Sequence, residues 1–172
     1  MKVGSYSTRL VVLRGNSGSG KSTIAAEVRA RHGRSIALVA QDNLRREVLR
    51  ERDVPGGANI GLVDVVARHA LGAGFHVIIE GILDADRYAA MLDRLRRDHR
   101  GASSFYYLDV PFAETLRRHA ERPQACEFGP AEMAGWYRER DLLPGGVERV
   151  IPANWTLDDT VRQVMADAGM AC

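Results

Sequence analysis

The sequence predicts an α/β fold in which a five-stranded parallel sheet is covered by helices on both faces. Three observations carry this. Five short, near-continuous apolar runs, at 9–14, 35–40, 75–80, 104–110 and 148–151, alternate with stretches of helical spacing, the pattern of strands buried on both faces. A glycine-rich stretch, GNSGSGKST at 15–23, falls between the first strand and the first helix. The chain's 172 residues suffice for one domain with a substantial core.

Each element has its own warrant. The run 9–14 (RLVVLR) is apolar and β-branched enough for a buried strand, and 24–31 places Ile24, Ala25 and Val28 at helical spacing. The second strand, 35–40, ends at Gln41-Asp42-Asn43, and 44–52 is predicted as a short, heavily charged helix. Asp53 to Ala58 breaks it, and its paired glycines predict a mobile loop. Asn59 is predicted to cap a helix over 60–71, which Ala73-Gly74 stops. The third strand, 75–80, leads to a helix capped by Asp84 or Asp86 that carries Tyr88, Met91, Leu92 and Leu95 to about His99. Pro111 closes the fourth strand, and 112–121 is helical. The stretch 127–143 mixes Gly129 and Pro130 with a short helix bearing Trp136 and Tyr137. A weak fifth strand and a helix over 156–168, with Asp158 and Asp159 in its first turn, complete the order.

The stretch 15–23 fits G-x-x-x-x-G-K-S, the phosphate-binding P-loop. Gly15, Asn16, Ser17, Gly18, Ser19 and Gly20 would wrap backbone N–H groups around a phosphate chain, and the helix N-terminus behind them adds partial positive charge. Lys21 would reach the β- and γ-phosphates, the Ser22 hydroxyl would ligand Mg²⁺, and Thr23 completes the first turn. Of the 24 basic residues only Lys2 and Lys21 are lysines. A chain so biased toward arginine keeps an internal lysine where a compact ammonium is needed.

Composition narrows the classes. Hydrophobic and charged contents of 45% and 27% are those of a soluble globular protein. A formal net charge of +2 creates no strong basic field, so nucleic acid is not required as a partner. Cys126 and Cys172 lie far apart and make neither a disulfide framework nor a metal site, which suits a reducing cytoplasm. With no signal peptide and no apolar run near 18 residues, neither secretion nor membrane spanning is expected.

The chain resembles small P-loop kinases of the nucleoside-monophosphate-kinase-like fold, closest to the branch of chloramphenicol phosphotransferase, zeta toxins and the polynucleotide 5′-kinase domain. The resemblance covers essentially the whole chain and rests on GNSGSGKST, VAQDNLRREVL, IIEGIL and YLDVPFAETLRRHAER. It implies the three-layer P-loop NTPase fold with strand order 2-3-1-4-5, ATP over the P-loop, and a helical lid at about 117–140.

In such a sheet the residues just after each strand form the site. Asp42 falls where the resemblance implies a carboxylate that accepts the substrate hydroxyl proton or orients that hydroxyl; the competing reading is a helix cap. Arg45 and Arg46 could hold the substrate or form a solvated face. Glu80, ending a buried strand, could serve Mg²⁺ through water or accept hydrogen bonds from the substrate. Asp109 is the weaker candidate, a structural partner for backbone or an arginine. The resemblance implies that at least one of Arg117, Arg118 and Arg122 neutralises the transferring phosphoryl group; Arg118 and Arg122, four apart, share a helix face. Arg138 and Arg140 stand second in line. Trp136 and Tyr137 either line the acceptor pocket or simply pack. Asn154 falls where related kinases contact adenine. His32, His69, His76, His99 and His119 show no metal-ligand spacing and read as structural or surface residues.

The expected activity is transfer of the γ-phosphate of ATP to a small-molecule hydroxyl, with ATP and Mg²⁺ as cofactors. The alternatives are a polynucleotide 5′-hydroxyl kinase, a zeta-toxin-like nucleotide-sugar kinase, and, outside enzymes, a nucleotide-dependent switch or interaction module.

Overall fold

The computed structural model describes residues 1–121 and 128–170. Five strands, β1 (Arg9–Gly15), β2 (Ile36–Ala40), β3 (His76–Gly81), β4 (Ala102–Asp109) and β5 (Glu148–Pro152), form one sheet in the order β2-β3-β1-β4-β5. Every pairing is parallel. The strands therefore all end at one edge, where their following loops gather.

β1 lies at the centre, and its side chains alternate between the two faces. Leu10 and Val12 pack with α2 (Ala58–Gly72) and α3 (Ala85–Asp98) on one face. Val11 and Leu13 pack with α1 (Lys21–His32) and α6 (Leu157–Ala168) on the other. Burial on both faces explains why β1 reads as an unbroken apolar run. Two shorter helices, α4 (Phe112–Ala120) and α5 (Pro130–Trp136), follow β4.

Two local expectations are corrected. The helix predicted over 44–52 is a π-helical turn over Asn43–Val48, closed by the Leu49 N–H on the Leu44 carbonyl at 3.0 Å. Arg50, in the left-handed region at φ 52°, ends it. Asn59 does not cap α2: Gly57 is the N-cap residue, and Asn59 is fully buried within the first turn. Glu51 takes over its role, accepting from the Asn59 N–H at 2.5 Å and its Nδ2 at 2.8 Å. The Glu51 carboxyl sits below its ordinary range because of those bonds. In the loop after Arg52, Asp53 is held in place. Tyr88 Oη donates to Asp53 Oδ1 at 2.8 Å, and Arg87 holds the Asp53 carbonyl at 2.8 Å and its Oδ2 at 2.9 Å. Of the two proposed caps for α3, Asp84 is the one that accepts from the Asp86 N–H, at 3.1 Å.

Candidate active site

The phosphate loop joins β1 to α1. Gly18 and Gly20 have φ of 80° and 102°, which favour glycine. At Gly18 a side chain would also collide with the backbone, since a Cβ there would lie 2.6 Å from the Thr115 carbonyl oxygen of α4. Loop and α4 are thus in direct contact. Lys21 is 7% exposed and curls back, its Nζ donating to the Asn16 carbonyl at 2.8 Å and to Ser19 Oγ at 3.3 Å. Ser22 and Thr23 follow it, both exposed, in the first turn of α1. α1 opens without a side-chain cap, and a helix N-terminus carries partial positive charge.

A cavity of about 400 Å³ opens on one side of this loop, between Ser19 and Gly20, Arg118 of α4, and Ile151, Ala153 and Trp155 at the end of β5. Arg118 spans its mouth. Nη1 donates to the Ser19 carbonyl at 3.2 Å, Nη2 to the Ala153 carbonyl at 3.3 Å, and Nε to Glu114 Oε1 at 2.6 Å. Hydrogen bonds from Arg117 and Arg118 hold the Glu114 carboxyl down to about 2. Arg117 instead faces solvent, tied to Glu114 and Glu121. Arg122 lies outside the described residues. Asn154 does not line this cavity; it borders a shallow depression with Trp155, Asp159 and Arg162.

A second cavity of about 620 Å³ opens on the other side of the loop, with Ser17 at its lip. It brings together Asp42, Arg45, Arg46, Trp136 and Arg138, singled out above for different reasons. Asp42 caps nothing: its Oδ1 accepts from Arg45 Nη2 at 2.8 Å, and its side chain is 62% exposed. Trp136 is 45% exposed and meets Phe128 edge-on at 5.1 Å. The sequence reading missed Arg52, Asp53, Val54 and Arg87, which also line this cavity. Arg52, Asp53 and Val54 lie in the stretch read as a helix end and a loop, and Arg87 lies at the start of a predicted helix with no motif to mark it.

Other candidates lie elsewhere. Tyr137 packs rather than lining the cavity, its ring edge-on to Phe112 at 5.2 Å and its hydroxyl on the Val110 carbonyl at 3.2 Å. Arg140 pairs with Asp109 at 3.7 Å, an arginine partner of the kind expected for it. Glu80 is 7% exposed, paired in register with Leu13 of β1 and Ala40 of β2, between the strands that lead to the phosphate loop and to Asp42. Among the described residues no three His, Cys, Asp or Glu side chains form a metal site. A Mg²⁺ carried by a triphosphate needs only one or two protein oxygens, which Ser22 and Glu80 could supply. His99 is enclosed between Thr8 Oγ1 and Ser103 Oγ, each at 2.9 Å, and His119 bonds to the Phe128 carbonyl at 2.9 Å.

Beneath the loop lies an arrangement the motif does not announce. Arg14, last residue before Gly15, is a fully buried cation. It donates to the Leu83 and Asp141 carbonyls at 2.8 and 2.9 Å and pairs with Asp141 Oδ2 at 2.9 Å and Glu148 Oε1 at 2.8 Å.

A family model described as an AAA domain, AAA_33, matches residues 10–139. The chain belongs to that family. No curated protein sequence matches it. Several solved structures carry the same fold over more than nine tenths of their length. The Mycobacterium tuberculosis APS kinase, in complex with AMPPNP and APS, aligns at TM-score 0.69 and 20% identity, over 96% of this chain and 98% of that one. A gluconokinase from Sinorhizobium meliloti aligns at TM-score 0.60 and 16% identity, over 96% and 93%. The Deinococcus radiodurans tunicamycin resistance protein aligns at TM-score 0.65 and 14% identity, over 95% and 97%. At such identities the likeness is one of fold. The AAA_33 chain described here is built as small P-loop kinases are, and no helix among its described residues is long and apolar enough to cross a membrane.

Proposed function

We propose that this protein is an ATP-dependent phosphotransferase that passes the γ-phosphate to a hydroxyl of a small-molecule acceptor. One observation supports the reading above the others. Two cavities open on opposite sides of the same phosphate loop, Ser19 and Gly20 facing one and Ser17 the other, with a carboxylate, Asp42, in the second. A nucleotide in the first cavity would direct its terminal phosphate over the loop toward an acceptor in the second. A switch needs only the first.

The roles follow from placement. Loop N–H groups and Lys21 hold the β- and γ-phosphates, and Arg118, fixed by Glu114, supplies guanidinium charge beside them. Mg²⁺, held by Ser22 and Glu80, would neutralise charge on the phosphate oxygens. Asp42 takes or orients the acceptor's hydroxyl proton while the oxygen attacks phosphorus and ADP leaves. Trp136 offers the acceptor an apolar face, and Arg45, Arg46 and Arg138 surround it with donors.

A coupled ADP-release screen over sugars, nucleosides, amino acids, antibiotics and 5′-hydroxyl oligonucleotides tests the reading, with Lys21→Ala as control. One of the small molecules should accelerate ADP release in the wild type and not in the variant, whose loss of a preorganised donor costs about 10²–10³ in rate. A variant with wild-type turnover would remove the proposed nucleotide site. Release driven only by 5′-hydroxyl oligonucleotides would move the acceptor to nucleic acid.

A further inference from the structure

We infer that Asn16, second residue of the phosphate loop, is a positioning residue that latches the wall of the acceptor cavity to the nucleotide loop. The contact stands on geometry alone; its use in catalysis rests on the phosphotransferase reading.

Phosphate loops meet their ligand mainly through backbone N–H groups, so a side chain here has no set duty toward phosphate. That of Asn16 is fully engaged elsewhere. The residue is 5% exposed, and both ends of its amide grip one distant residue: Nδ2 donates to the Arg138 carbonyl at 2.8 Å and Oδ1 accepts from the Arg138 N–H at 2.9 Å. Tyr107 completes the latch, its hydroxyl donating to the Arg138 carbonyl and accepting from the Asp141 N–H, each at 3.2 Å. Only a short amide satisfies both bonds: aspartate cannot donate, and glutamine is one methylene too long.

The gripped residue matters because the Arg138 side chain lines the acceptor cavity, its Nη1 braced on the Gly135 and Tyr137 carbonyls at 3.3 and 3.1 Å. Its backbone is held by the phosphate loop while its guanidinium faces the acceptor. On the other side of Gly15, Arg14 fastens the continuing chain at Asp141 and Glu148. The two neighbours of Gly15 thus hold 138–148 between them. The Asn16 carbonyl also accepts from Lys21 Nζ. A triphosphate that draws Lys21 onto its own oxygens takes that bond away, so nucleotide arrival is felt at the residue that holds Arg138.

Hydrogen exchange read by mass spectrometry tests this on the full chain, for wild type, Asn16→Ala and Asn16→Asp, each with and without saturating Mg²⁺ and AMPPNP. Without nucleotide, the peptide over 137–142 should exchange at least about tenfold faster in Asn16→Ala, the effect of losing a buried hydrogen-bond pair, with β3 unchanged. Asn16→Asp keeps the acceptor for the Arg138 N–H and should fall between. The analogue should alter protection over 137–142 in the wild type and leave it unaltered in Asn16→Ala. Wild-type exchange there in the unliganded alanine variant would overturn the latch. So would faster exchange spread evenly over all strands, or an equal nucleotide response in both proteins. If the analogue changes no wild-type peptide, the phosphotransferase reading falls, while the unliganded comparison still decides the latch.

Discussion

Asp42 shows what a single position can and cannot reveal. Its place directly after β2 was readable, because β2 is a clear apolar run with a polar stop. Whether it capped a helix was not, since that depends on the turn that follows, and the structure gives its carboxylate to Arg45 instead. Asp42→Asn should leave ATP affinity within a few-fold and lower turnover by about 10²–10⁴, the range for loss of a general base. A parallel collapse of ATP affinity, measured by titration with a fluorescent analogue, would assign the residue to the nucleotide site. Two histidines carry a different prediction. Burial pushes both His76 and His99 below the ordinary imidazole value. A group depressed in the fold stays neutral while the unfolded chain takes up its proton, so stability is full above about pH 6.5 and is lost as pH falls through and below it. Urea midpoints should therefore drop between pH 7.5 and 5.5, and His99→Asn should flatten that slope. An unchanged slope would mean that His99 binds its proton equally well in the folded and unfolded chain, and a steeper one that it is charged in the fold.

At the scale of elements, β1 and β3 were legible because they are buried on both faces, whereas the edge strand β5, with Arg149 exposed, reads weakly. Less legible were the pieces fixed by partners remote in sequence. Asn59 has the chemistry of a cap, yet Glu51, eight residues earlier, supplies the cap and frees the asparagine to face inward. Tyr88 was recognised as an apolar helix position, but its hydroxyl is a junction. It accepts from Gln41 Nε2 at 3.0 Å and bonds to Asp53 and to Asn59, joining α3 to the end of β2, the loop after Arg52 and α2. Burial, with Asp53 beside it, raises the phenol above its usual range, so it stays protonated at any working pH. Tyr88→Phe keeps the ring packing and deletes the junction. It should cost about 1–3 kcal/mol in urea unfolding, the toll of unsatisfied buried polar groups. The Michaelis constant for the acceptor should rise more than that for ATP, since Gln41 and Asp53 line only the acceptor cavity. Equal effects on both constants would show that the junction serves the whole edge of the sheet.

Across the whole molecule, the nucleotide half of the site was legible and the acceptor half was not. The phosphate loop is a contiguous motif, so one stretch of sequence contains its geometry. The acceptor cavity draws on five separate stretches, from Ser17 to Arg138, whose meeting depends on the folded chain. Arg14 makes the point most sharply. As a letter it looked like the polar end of a strand, because its carboxylate partners are 127 and 134 residues away. Arg14→Met should destabilise the protein by about 3–5 kcal/mol, the cost of stranding a buried charge, here Glu148 at 2% exposure. Adding Glu148→Gln should recover part of the loss in chemical denaturation. Additive losses in the double variant would mean that the two side chains do not depend on one another.

The strand order has a consequence for biosynthesis. β1 is flanked by β3 and β4, so the central strand is made first and is sheltered only after residue 109 has been added. At translation rates of about 5–20 residues per second, that leaves it bare for roughly 5–20 seconds on the ribosome. Nascent chains of this protein should therefore lean on chaperones that hold apolar segments, and lean least once β4 has emerged.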